Sequence, residues 1–137
     1  MTAVESELLL RQAYVDGRWV DADDGDTFPV VNPATGEEIA RVPRLGVAET
    51  RRALEAAQRA LPDWRARTAK ERAAILRRLA DLMLERTEEL ATLLTLEQGK
   101  PLAESRVEVA YAASFYEWFG EEAKRVCGDT IPAPARD

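Results

Sequence analysis

The sequence predicts a segment of mixed α and β structure, in which short β-strands come first and about four α-helices follow. Up to residue 43, strand-forming residues alternate with turn formers. From residue 47 onward, apolar residues recur at helical spacing instead. A Thr-x-x-Glu box at 68–71 and a glycine at position 99 mark the ends of predicted helices.

The strand region predicts a hairpin followed by two further strands. Asp16-Gly17 is a strong signal for a two-residue hairpin turn, because both central residues of such a turn need positive φ. The Asn-Pro-Ala-Thr-Gly run at 32–36 consists of turn formers and separates the later strands. Pro43 ends the last strand or places it at a sheet edge. The predicted strands cover 14–15, 19–20, 27–31 and 39–43.

The first two helices are predicted from apolar repeats. Val47, Leu54 and Leu61 recur at intervals of seven and give the first helix one apolar face. Thr68 and Glu71 form a capping box that opens the second helix. We expect the second helix to bury a stripe made of Ile75, Leu76, Leu79, Leu82 and Met83.

The last two helices are predicted from their ends. A short third helix starts near Thr87 and stops at Gly99, which acts as a left-handed cap. Pro101 fits the first turn of a fourth helix, where its missing N–H costs nothing. We expect the fourth helix to run to about Val126, with Glu121 and Arg125 as a favourable i,i+4 pair, and residues 131–135 to be extended.

Composition excludes several classes of function. The net charge of −6 argues against nucleic acid as the main partner and against docking on an anionic membrane, since both need a basic surface. One cysteine and no histidine leave no disulfide framework, no nucleophile–histidine pair and a poor set of zinc ligands. Neither a secretory leader nor a membrane-spanning run is recognisable, which predicts a cytoplasmic protein.

Four motifs are weighed against plainer interpretations. The acidic run 21–26 departs from the calcium-loop pattern, because its glycine comes one place early and position 32 is Asn, so a solvated acidic turn is favoured. Cys127 is expected at a helix C-terminus, where a thiol is not activated, so an incidental thiol is favoured. The arginine-rich stretch 65–78 is interpreted as a solvated helix face with i,i+4 ion pairs. Core packing is favoured over a ligand-binding wall for the aromatic residues of the fourth helix, Tyr111, Phe115, Tyr116, Trp118 and Phe119.

Three stretches resemble the start of the aldehyde dehydrogenase superfamily. They are Tyr-Val-Asp-Gly-Arg-Trp-Val at 14–20, Val-Val-Asn-Pro-Ala-Thr-Gly-Glu at 30–37 and Leu-Glu-Gln-Gly-Lys-Pro at 96–101. The resemblance covers nearly the whole chain. Residues 9–14 and 108–132 are most similar to NAD(P)-dependent succinate-semialdehyde dehydrogenases.

The resemblance implies an α/β fold with a Rossmann-type cofactor domain. It divides the chain into an N-terminal arm (1–13), part of the cofactor-binding domain (14–132) and a truncated tail (133–137). The family oxidises aldehydes through a cysteine thiohemiacetal, hydride transfer to NAD or NADP, and thioester hydrolysis assisted by a glutamate. All of these groups lie beyond Pro132 in the family, so we expect no catalytic residue and no cofactor binding in this chain alone.

The resemblance also implies two modest sites. Some members hold a structural cation with backbone near Val30 and Val31 and an acid at the position of Glu97. The fourth helix borders a substrate tunnel in the family, and Glu108 and Ala112 match positions that face it. The plainer interpretations are a last-turn acid for Glu97 and a solvated acid for Glu108.

Two classes of function remain open from the sequence. In the first, the chain belongs to an oxidoreductase as a fragment, a truncated reading frame or one half of a split enzyme, and it is inactive alone. The resemblance implies that the complete enzyme forms a homo-oligomer. In the second, it is a stand-alone helical interaction module that pairs with a full-length dehydrogenase subunit. An in-frame continuation in the downstream DNA would favour the first class.

Overall fold

A computed structural model describes residues 6–129, in which four strands precede four helices as predicted. The strands pair as two separate antiparallel ladders, β1 with β2 and β3 with β4. The predicted tail at 131–135 lies outside the described residues. The elements are β1 (Ala13–Val15), β2 (Arg18–Val20), β3 (Thr27–Val31), β4 (Glu38–Pro43), α1 (Val47–Ala66), α2 (Ala69–Glu85), α3 (Thr87–Gln98) and α4 (Leu102–Glu122).

The hairpin and the second ladder confirm the predictions from turn chemistry. Asp16 and Gly17 have φ of 52° and 75°, the two positive values that a type I′ turn needs. Pro43 is the last residue of β4 and pairs with Thr27 at the start of β3. A register shift between Val30 and Val31 breaks the ladder next to the turn at 32–36.

Helix α4 packs closely against α2 through small residues. Ala73 and Ala80 are the buried residues of α2, and Gly120 is buried on α4. A Cβ placed on Gly120 would lie 3.4 Å from the Ala73 carbonyl oxygen and 3.5 Å from the Leu76 Cβ. The two helix backbones therefore approach closely, and Arg77 bridges them by donating to Glu117 at 3.2 Å and Glu121 at 3.1 Å.

Two predictions for α2 and α4 differ from the structure. Of the expected stripe of α2, Leu76 and Met83 are half-buried, whereas Ile75, Leu79 and Leu82 are 41%, 38% and 37% exposed. The alanine face, with Leu76 beside it, meets α4, because small side chains allow so close an approach. Helix α4 ends at Glu122 rather than near Val126. Glu121 forms its ion pair with Arg77 instead of Arg125, and Arg125, which lies beyond the end of the helix, pairs with Glu122.

Helix α1 turns its predicted apolar face outward. Val47, Leu54 and Leu61 are 78%, 66% and 48% exposed. Ala56, on the opposite side of the helix, is the buried residue of α1. The apolar residues at intervals of seven therefore lie on a face of α1 that packs against nothing among residues 6–129.

The end of α2 and the beginning of α3 leave a shallow apolar groove. Leu8 from the N-terminal arm lines this groove together with Leu82, Met83 and Leu90. None of the four helices is long and apolar enough to cross a membrane in the described part of the chain.

The close α2–α4 contact predicts that a larger side chain lowers the stability of the protein at Gly120 but not at an open position. Gly120→Val should lower the free energy of unfolding by about 1–3 kcal/mol, because the branched side chain forces the helices apart. Gly128→Val is the matched control, since a Cβ at Gly128 meets nothing within 4 Å. Urea denaturation followed by circular dichroism measures both. Equal stability of the two variants would show that the helices do not pack this closely.

Candidate functional site

The turn after β3 is built around a buried asparagine. Asn32 is 7% exposed, and its side-chain oxygen accepts from the Ala34 N–H at 2.9 Å. Its carbonyl accepts from the Gly36 N–H at 2.8 Å, while its own N–H donates to the Glu37 carbonyl at 2.9 Å. Because the turn satisfies this buried amide locally, the Asn-Pro-Ala-Thr-Gly sequence has a rigid conformation.

Gly99 joins this turn to the helices. It has φ of 71°, and its N–H donates to the Thr95 carbonyl at 2.8 Å, which confirms the predicted left-handed cap. A Cβ on Gly99 would lie 3.0 Å from Pro33 Cγ and 3.4 Å from the Ala34 nitrogen. The two sequence motifs that lie 67 residues apart at Asn32 and Gly99 therefore meet in space.

Polar contacts fix α4 relative to α3 just beyond this junction. The Thr95 and Ser105 hydroxyls lie 2.8 Å apart, and Ser105 is fully buried. Arg106 donates two hydrogen bonds of 2.8 Å to the Glu88 carboxylate. These bonds, together with the opposite charge of the partner, lower the pKa of Glu88 and raise the pKa of Arg106.

The predicted cation ligands lie on either side of the junction. Val30 is half-buried and Val31 is 42% exposed, at the irregular end of β3. Glu97 is exposed on the last turn of α3, two residues before Gly99. Within residues 6–129 no three acidic or cysteine side chains form a group that could hold a metal ion. A cation held by two backbone carbonyls and one acid stays a prediction.

The predicted tunnel residues lie one turn apart on α4. Glu108 pairs with Lys100, whose side chain is 23% exposed, directly after Gly99. Ala112 is half-buried. Glu108 is therefore an ion-paired acid, and a tunnel role for either residue stays a prediction.

The outer face of α4 is an aromatic groove that the sequence interpretation missed. The five aromatic side chains expected in the core are exposed by 38–63%, because α4 buries its opposite face, which contains Ser105, Val109, Ala113 and Gly120. A cavity of about 600 Å³ opens on this outer face. The four-residue spacing of Ser105, Val109 and Ala113 is the signal in the sequence that could have identified the buried side. The groove is lined by Tyr111, Ser114, Phe115, Glu117, Trp118, Phe119 and Glu121.

Other candidate groups have ordinary partners. Asp23 and Asp26 of the acidic turn pair with Arg52 at 2.7 Å and Arg44 at 3.0 Å. Cys127 is exposed five residues after the end of α4, so its predicted place at a helix C-terminus is wrong. In the arginine-rich stretch, Arg78 pairs with Glu85, seven residues away rather than four.

The junction predicts that a side chain at Gly99 lowers the stability of the protein for two reasons, the left-handed backbone and the close approach of Pro33. Gly99→Ala should lower the free energy of unfolding by about 1–2 kcal/mol for the left-handed backbone, plus a further cost for pushing Pro33 away. Gly36→Ala is the matched control, because Gly36 has φ of 77° but nothing within 4 Å of its Cβ. Chemical denaturation of both variants separates the two costs. Identical losses would contradict the close contact with Pro33.

Known proteins resemble both the sequence and the fold. The aldehyde dehydrogenase family matches residues 19–137. Glutarate-semialdehyde dehydrogenase from Pseudomonas aeruginosa is 64% identical over the whole chain. Succinate-semialdehyde dehydrogenase [NADP(+)] from Escherichia coli is 56% identical over 97% of it. This chain spans 28% of the length of each relative.

Solved structures agree. Succinate-semialdehyde dehydrogenase from Burkholderia pseudomallei superimposes with a TM-score of 0.93 at 57% identity, over 98% of this chain and 28% of that chain. PnpE, solved in complex with nicotinamide adenine dinucleotide, superimposes with a TM-score of 0.87 at 41% identity, over 91% of this chain and 26% of that chain. The α/β arrangement, the meeting of the two motifs and these matches lead to one conclusion: the chain belongs to the aldehyde dehydrogenase family.

Proposed function

We propose that this chain forms the N-terminal part of an NAD(P)-dependent aldehyde dehydrogenase that oxidises a semialdehyde to the dicarboxylate. The observation that carries the proposal is the junction of the Asn32 turn with Gly99. It brings together two of the three stretches that resemble the family, 30–37 and 96–101. The relatives that match at 56–64% identity, named for glutarate and succinate semialdehyde, support the substrate class.

The described residues supply a scaffold rather than a reacting group. Nicotinamide cofactors need a helix N-terminus with free N–H groups that can receive a phosphate. At the start of α1, the Gly46 N–H donates to the Glu49 carboxylate at 3.0 Å, so an acid already occupies that position. The start of α2 is occupied in the same way, since the Thr68 N–H donates to the Glu71 carboxylate at 2.7 Å. We propose that parts of the domain beyond this chain hold NAD or NADP.

Substrate recognition by this chain would come from α4. In the proposed enzyme, Glu108 and Ala112 border the tunnel that the aldehyde enters. The acids of the neighbouring groove, Glu117 and Glu121, repel a substrate carboxylate, and Arg77 is already bound to both of them. The cations that hold the distal carboxylate therefore come from elsewhere in the enzyme.

We also propose a division of the chain into segments, a cellular location, an oligomeric state and a structural cation site. Residues 14–132 form part of the cofactor-binding domain, between an arm (1–13) and a tail (133–137). We place the protein in the cytoplasm as a homo-oligomer, with a structural cation at Val30, Val31 and Glu97.

A stand-alone interaction module remains the second candidate. The exposed aromatic side chains on α4 favour it, since a large apolar patch marks an interaction site. Such a module would bind a full-length dehydrogenase subunit without being part of its active site. It would not restore activity to the portion of a relative that lacks these residues.

The proposal predicts that activity depends on joining the chain to the rest of the family sequence. Alone, it should reduce neither NAD⁺ nor NADP⁺ with any aldehyde, because residues 6–129 offer no positioned thiolate and no site for the hydride acceptor. Fused to the remaining portion of the Pseudomonas aeruginosa relative, it should oxidise succinate or glutarate semialdehyde in preference to hexanal or benzaldehyde. Absorbance of the reduced cofactor at several aldehyde concentrations measures both.

Each part of this prediction has its own contrary result. Turnover by the chain alone that disappears on Cys127→Ser would contradict the scaffold role. A fusion that prefers apolar or aromatic aldehydes would reject the semialdehyde assignment and leave the family membership intact. A soluble but inactive fusion would favour the interaction module, with the Pseudomonas enzyme expressed in one piece as the positive control.

A further inference from the structure

Helix α1 turns a narrow face of alanines toward the β1–β2 hairpin. Ala53, Ala56 and Ala60 line one side of a cavity of about 300 Å³, and residues 14–17 of the hairpin line the other. Of the residues of α1, Ala56 is the one that is buried. Alanine side chains remove little apolar area from water, so this contact contributes little hydrophobic stabilisation.

Two ion pairs border the same face. Arg59 donates to Asp16 at the tip of the hairpin at 3.1 Å, and Arg52 donates to Asp23 in the acidic turn at 2.7 Å. Arg52 and Arg59 are seven residues apart, about two helical turns, so they point in the same direction with Ala56 between them. All four side chains are more than half exposed, so salt can screen both pairs.

A third polar contact secures the first turn of α1. The Glu49 carboxylate accepts from the Asp23 N–H at 3.2 Å and from the Gly46 N–H at 3.0 Å. Glu49 lies on the same side of the helix as Arg52 and Ala56. The face of α1 that is turned toward the strands thus has charged side chains at its edges and alanine side chains at its centre. The apolar face with Val47, Leu54 and Leu61 points the opposite way.

We propose that α1 is an electrostatically latched strap, which the Arg52–Asp23 and Arg59–Asp16 pairs hold against the hairpin and which detaches as ionic strength rises. Detachment is coupled to unfolding of the helix. Most of the stability of a helix in a protein comes from packing of one face, and Pro62 removes one of the internal hydrogen bonds of α1. Helices α2 and α4 lack this sensitivity, because close packing at Gly120 holds them together in addition to their ion pairs. The inference does not depend on the proposed dehydrogenase function.

Hydrogen–deuterium exchange of the 137-residue chain, followed by mass spectrometry, tests the latch. Between 10 mM and 1 M NaCl the screening length falls from about 30 Å to about 3 Å. We expect the amides of residues 47–66 to exchange several-fold faster at high salt relative to those of 102–122. The double variant Arg52→Gln/Arg59→Gln should exchange faster at low salt, by up to about 30-fold, and should lose the salt dependence.

Two matched variants make the test specific. Arg77→Gln breaks two ion pairs elsewhere and should leave exchange of 47–66 unchanged. Exchanging the charges of one pair, with Asp23→Arg and Arg52→Asp together, should restore most of the protection lost in Arg52→Asp alone. Unchanged exchange of 47–66 in the double glutamine variant would overturn the proposal. So would equal acceleration of all four helices by salt, since that indicates global loosening.

Discussion

The contact between Gly99 and the Asn32 turn is the constraint on which the rest of the structure depends. It joins the β3–β4 ladder to the helices, and it needs a residue without a side chain in a left-handed conformation. The chain reverses at Gly99, so Lys100 and Pro101 can start α4 beside α3. The Thr95–Ser105 and Glu88–Arg106 bonds then fix the angle between the two helices.

This arrangement leaves much apolar surface without a partner among the described residues. The outer faces of α1, α2 and α4 carry large exposed side chains, including Leu54, Ile75 and Trp118. Each such side chain left in water forgoes about 1.5–3 kcal/mol. A handful of them equals the roughly 5–15 kcal/mol by which a whole domain is stable. The faces therefore suit a chain whose helices are covered by further structure, in keeping with its 28% share of its relatives' length.

Local chemistry made the turns and caps predictable from sequence. The Asp16-Gly17 hairpin, the box at Thr68 and the cap at Gly99 each depend on residues within a few positions of one another. The sequence did not reveal which apolar face each helix buries. Apolar repeats showed where leucines lie on α1 and α2, but small residues face the neighbouring elements, the hairpin in the case of α1 and the closely approaching α4 in the case of α2. The pairing of Glu121 was missed because its partner Arg77 lies 44 residues away in the sequence. The candidate site depended on the family resemblance, since neither Glu97 nor Glu108 has a local signature of function.

The central claim is that this chain forms stable local elements whose apolar faces are exposed and would be buried by further structure. Binding of a dye specific for exposed apolar surface, measured beside circular dichroism, tests it most directly. The account predicts strong dye binding and clear helical signal in the far ultraviolet, with weak near-ultraviolet signal from the three tryptophans. It also predicts that the dye is displaced when the chain is fused to the rest of a relative. A monomer that binds no dye and gives a strong near-ultraviolet signal from its tryptophans would contradict the account, because it would show that the segment packs as a complete domain.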